Sequence, residues 1–128
     1  MERPAVSEVD PFDLPEWMGV SEVTWRAGSS VRGSHVSGVL VGAGQSEQPC
    51  DLLAADLAYP TPVLDDEWRR AAHQQWVHGQ VLLLEYDGRL TLAVPGTHFT
   101  ADRVLESLGR LALAVGATSS CFVAALRL

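Results

Sequence analysis

The chain alternates and clusters its apolar residues in a way that marks most of its elements. Glu22–Ala27 places Val23, Trp25 and Ala27 on one side, the period-2 pattern of a half-buried strand. His35–Val41 follows a Gly/Ser-rich turn and sets Val39 and Val41 on one face against Val36 and Leu40 on the other. A third strand is expected at Asp51–Ala58, although LLAADLA is also compatible with a helix. In residues 63–78, Leu64, Trp68, Ala72 and Trp76 recur every four positions after a run of three acids, which predicts a helix stopped by Gly79.

Residues 80–94, QVLLLEYDGRLTLAV, carry Asp87-Gly88 between two apolar runs, the mark of a tight hairpin. A second helix is predicted from Thr100, a good N-cap, with Phe99 and Val104 as a hydrophobic staple and Gly116 as the stop. Its apolar face is expected to hold Val104, Leu105, Leu108, Leu111, Ala112 and Val115. A last strand is expected at Cys121–Leu126.

The order βββαββαβ predicts an α+β fold: an antiparallel sheet of five to six strands with two helices on one face. Its last six elements match a ferredoxin-like split βαβ core, with the N-terminal hairpin adding edge strands. The alternative groups the first three strands as a meander followed by helix, hairpin and helix. That order resembles the small acidic chaperones of bacterial secretion systems.

Two segments differ in character. Residues 1–20 are broken by Pro4, Pro11 and Pro15 and read as an acidic, Pro-rich arm; residues 21–128 read as one α+β domain. The arm nonetheless holds Phe12, Leu14, Trp17 and Met18, an apolar set suited to packing on its own body or a neighbour's.

The hairpin poses a sharper problem. A two-residue turn pairs Tyr86 with Arg89, Leu84 with Thr91 and Leu82 with Ala93. Val81, Leu83, Leu90, Leu92 and Val94 then face the helices, while Leu82, Leu84, Tyr86, Arg89, Thr91 and Ala93 face away. Burying Leu82 and Leu84 is worth roughly 1.5–3 kcal/mol each, so this second face needs a cover. The arm with Phe12 and Trp17, a second copy of the sheet, or a ligand could supply one. Tyr86 and Arg89 at the rim suit a protein interface. The expected partner is therefore self, as a homodimer, with another protein as a further possibility, and Leu84→Asp is expected to split the dimer without unfolding it.

Composition narrows the chemistry. The chain of 128 residues is 47% hydrophobic, enough for a core. Its net charge of −7 is uneven: residues 1–22 hold six acids against Arg3, the remainder ten acids against eight arginines. No basic stripe is present, which argues against nucleic acid. No stretch approaches the ~20 apolar residues of a membrane span, and the start lacks a signal-peptide pattern, so a cytoplasmic protein is expected. Lys, Ile and Asn are absent. That composition suits a high-GC genome, and it removes Schiff-base and P-loop lysine chemistry.

Catalytic patterns are missing. His73 and His78 lie about 140° apart on a helix and do not chelate one ion. GSSVRGSHVSG lacks a nucleophile elbow, and VLVGAGQ lacks the third glycine of a dinucleotide loop. Cys50 and Cys121 read as buried thiols rather than a disulfide. No metal or cofactor is expected. The sequence favours a non-enzymatic adaptor, chaperone-like or regulatory module; the alternative is a small ligand-binding protein or enzyme with an aromatic pocket at Trp68, His73 and Trp76.

The phrases DPFDLPEW, PCDLLAAD, YPTPV and GRLTLAVPGTHFTAD resemble a small family of uncharacterised actinobacterial proteins. The resemblance spans nearly the whole chain and implies no activity.

Overall fold

The computed structural model describes residues 6–42, 44, 47–55 and 81–128. It is a mixed α+β fold built on one sheet. The strands are β1 (Val6–Glu8), β2 (Val23–Ser30), β3 (His35–Val36), β4 (Gly38–Gly42), β5 (Gln48–Ala55), β6 (Leu82–Tyr86), β7 (Arg89–Pro95) and β8 (Phe122–Arg127). Among the described residues, the α-helices are a single turn α1 (Trp17–Val20) and the longer α2 (Ala101–Ala114). The helix expected at 63–78 lies outside the described residues, as do Trp68, His73 and Trp76.

The hairpin register is the one the Asp-Gly turn dictates: Leu82 opposite Ala93, Leu83 opposite Leu92, Leu84 opposite Thr91 and Tyr86 opposite Arg89. Asp87 and Gly88 both take positive φ, 52° and 76°, as a type I′ turn requires. Thr100 caps α2 by accepting from Arg103 N at 3.3 Å, and Phe99 and Val104 are both buried beside it. Leu105 departs from expectation. It is exposed, because the face toward the sheet is set by Val104, Leu108, Leu111 and Ala112.

The strand order is β1-β6-β7-β5-β4-β2-β8, with β3 also pairing β5. This differs from the ferredoxin-like arrangement, which needs the last strand beside β5. The short connection between β4 and β5 makes them neighbours in an antiparallel hairpin, so β4 takes that place and β2 follows it. The N-terminal hairpin is thus interior, and β8 is left to pair with β2 at the far edge. The sheet is mostly antiparallel, but β5 with β7 and β2 with β8 are parallel. It also has more strands than expected, because the arm contributes β1 and because Ser37 interrupts the second run into β3 and β4.

The arm is therefore not irregular throughout. After β1 pairs with β6, a 3-10 turn at Pro11–Asp13 leads into α1. Met18 is fully buried, and Leu14 and Trp17 pack against the same core cluster as α2. The arm docks on its own chain through these residues, while Phe12 points away at 95% exposure.

The principal core lies between α2 and one face of the sheet. Val23 and Trp25 of β2, Leu40 of β4, Cys50 and Leu52 of β5, and Leu83 and Leu92 of the hairpin meet Leu108 and Leu111 there.

Candidate functional site

The pairing registers place the residues of the other face in one continuous layer. Tyr86, Leu84 and Leu82 of β6 lie beside Arg89, Thr91 and Ala93 of β7. Next come Asp51 and Leu53 of β5, then His35 and Val39, then Thr24 and Arg26 of β2, and finally Val123 and Ala125 of β8. This layer divides into two halves. On the hairpin side it is closed: Leu82 is 3% exposed, Leu84 0%, and Leu53, Thr91 and Ala93 are buried. On the β8 side it is open, with Arg26, Val123, Ala125 and Arg127 exposed.

Most residues of the expected interface fall in the closed half or at its border. Leu82, Leu84 and Ala93 are buried within a single chain, so they offer no free surface to a second copy. Trp17 is half-buried on the α2 side of the sheet, so it does not cover this face. Tyr86 is half-buried and Arg89 half-exposed, at the border between the two halves.

A charged cluster marks the border. Asp51 is the one charged residue among the buried side chains described. Arg89 grips it with Nε at 3.1 Å from both carboxylate oxygens and Nη2 at 3.0 Å from Oδ1. His35 Nε2 lies 3.4 Å from Oδ2, and Gly38 N donates to Oδ1 at 3.3 Å. Arg89 Nη2 also donates to Gly38 O at 3.2 Å, tying β7 to the first residue of β4. The His35 ring sits 6.0 Å from that of Tyr86. Burial alone would raise the Asp51 carboxyl; hydrogen bonds from His35 and Arg89, with the charge of Arg89, outweigh it and hold the group below 3.8. The neighbouring Cys50 thiol is pushed up to about 12 by burial and by the Asp51 charge, which disfavours the reactive thiolate.

Beyond Arg89 the open half deepens into a groove of about 400 Å³. Its origin is a register shift between β2 and β8 after Arg26. There Gly28 donates to Ser37 O at 2.7 Å, in the break between β3 and β4, and parts from β8. Arg26, Arg89 and Arg127 line the gap, with Val39 and Ala125 as apolar wall. Arg26 is paired with Glu47, both exposed.

The sheet ends at β8, which has no strand on its outer side among those described. Val123 is 57% exposed on the open face. On the helix side, Leu105 and Leu113 are exposed one turn either side of Gly109. A Cβ at Gly109 would lie 3.9 Å from Ser119, at the turn that leads into β8, and both leucines share the helix stripe of Gly109.

Sequence reasoning singled out Arg89 but missed Asp51, His35, Arg26 and Arg127 as neighbours. An acid within the apolar run PCDLLAA was the available signal: on a strand that alternates, Asp51 must face the second layer with Leu53. Among the described residues, no three metal-ligating side chains converge, and no helix is long and apolar enough to cross a membrane. No family model, curated protein or solved structure matches the chain.

Proposed function

We propose that the protein is a non-enzymatic association module, and that its partner is a second copy joined through the outer edge of β8. The observation that carries this reading is an unguarded edge strand. Proteins blunt exposed edges with prolines, charges, bulges or very short strands. The opposite edge, β1, is only three residues long. By contrast β8 runs FVAALR over six residues, without proline and with one charge at its end. Exposed apolar side chains accompany it, Val123 on the open face and Leu105 and Leu113 on the α2 stripe that holds Gly109, whose backbone approaches the turn into β8. A two-fold axis through β8 pairs the strand antiparallel with itself and buries both sets at once, as an isologous interface demands. The meander of β2, β4 and β5 beside the β6–β7 hairpin, followed by α2, also favours the secretion-chaperone-like alternative over the split βαβ core.

Sedimentation velocity on the full chain tests the assignment. The wild type is expected to sediment as a dimer at tens of micromolar, and Leu113→Lys/Val123→Lys as a monomer with an unchanged melting temperature. A wild-type monomer at about 100 µM, or a double variant that remains dimeric, discards the β8 interface.

A further inference from the structure

The groove between β2 and β8 carries more hydrogen-bond donors than the protein uses. We propose that it binds a carboxylate group, supplied by a free carboxylic acid or by an acidic side chain of an extended peptide.

Arginine has five N–H donors. In Arg89, Nε and Nη2 are committed to Asp51 and Gly38 O, whereas Nη1 has no partner among the described residues. Arg127 contributes its carbonyl to Val31 N at 2.7 Å, and its guanidinium has no partner among the described residues. Arg26 is held by Glu47 in an exposed pair, an interaction that water and salt weaken and a ligand carboxylate can replace. Three of the chain's nine arginines thus line one open groove in a protein of net charge −7.

The local charge selects the ligand. Glu47 and Asp51 offset two of the three arginines, leaving the groove with a single net positive charge. That matches one carboxylate better than a phosphate dianion. Planar guanidinium edges also suit planar, bidentate carboxylate recognition. The Gly28 backbone lets a ligand approach closely, Val39 and Ala125 give it an apolar wall, and the volume of about 400 Å³ falls in the range of small-ligand sites. Strand addition at β8 proceeds in the plane of the sheet and leaves this face accessible.

Calorimetric titration of the full chain at low salt tests the site. The probes are glutarate, an end-blocked hexapeptide alternating Glu and Val, its Gln counterpart, and inorganic phosphate. At least one of the two carboxylate probes is expected to bind, and the Gln peptide to bind about tenfold more weakly than the Glu peptide, or not at all. Arg127→Gln and Arg26→Gln are each expected to weaken carboxylate binding about tenfold while melting as the wild type. Should either variant fold poorly, the Arg127→Lys chain, which keeps the charge but not the planar fork, is expected to weaken binding in its place. Glutarate binding alone identifies a free acid as the source; Glu-peptide binding alone identifies an acidic segment. Tighter binding of phosphate than of either carboxylate overturns the proposal. So does equal binding of the Glu and Gln peptides without glutarate binding, affinity untouched in both arginine variants, or no heat with any probe at millimolar concentration. Sedimentation of the same samples keeps this outcome separate from that of the β8 interface.

Discussion

The indole of Trp25 lies flat against Gly38 of the neighbouring strand, so close that a Cβ at position 38 would come within 2.3 Å of it. Trp25 Nε1 reaches past to donate to Cys50 O at 2.8 Å, so the fully buried ring is also hydrogen-bonded. Gly38 thus serves both sides of the sheet: it admits Trp25 on the core side and binds Asp51 and Arg89 through its backbone on the other. Gly38→Ala is expected to lower stability by about 3 kcal/mol through overpacking, read as a fall in urea midpoint with an unchanged slope.

The Asp51–Arg89 pair makes stability depend on acid. Because the folded carboxyl lies below its ordinary 3.8, its contribution is complete at neutral pH and persists down to about that value. It is then lost as pH falls through the folded pKa. Asp51→Asn is expected to cost about 2 kcal/mol at neutral pH and to flatten this acid limb, as measured by thermal melts across pH. An unchanged acid limb in the variant would show that other carboxylates set it.

Leu84 sits in the closed half of the second face with no exposed surface. Leu84→Asp is therefore expected to unfold the chain, by about 4 kcal/mol or more, rather than to split a dimer. Circular dichroism separates these outcomes: a folded monomeric variant would return the interface to the hairpin.

The two thiols are expected to differ. Cys50 is buried with its pKa pushed up to about 12, whereas Cys121 is half-buried in the turn just before β8, and neither forms a disulfide. Titration with a chromogenic disulfide is expected to show slow reaction of Cys50 until the chain unfolds, with Cys121 reacting first.

Local chemistry made much of this structure legible in the sequence. Asp87-Gly88 fixed the hairpin register, and Thr100, Phe99 and Gly116 fixed the bounds of α2, because each is a short-range device that acts through its own neighbours. The alternation in Glu22–Ala27 also put Val23 and Trp25 on the core side. Strand order was not legible. It depends on which edges of β5 the other strands reach first, and no single residue encodes that. The second face was half legible: Leu82 and Leu84 announced a layer in need of cover, and that layer is closed. What the residue pattern did not convey is that the same layer continues across the sheet and opens beyond Asp51. Asp51 meets Arg89 from 38 positions away, and Arg26 and Arg127 line one groove only because β8 returns beside β2.

The proposed association requires β8 to be the edge through which two chains join. Hydrogen exchange followed by mass spectrometry, at chain concentrations from low micromolar to about 100 µM, addresses that strand directly. Amides of residues 122–127 are expected to gain protection as concentration rises, with those of the β6–β7 hairpin unchanged. Exchange in 122–127 that does not depend on concentration would contradict it.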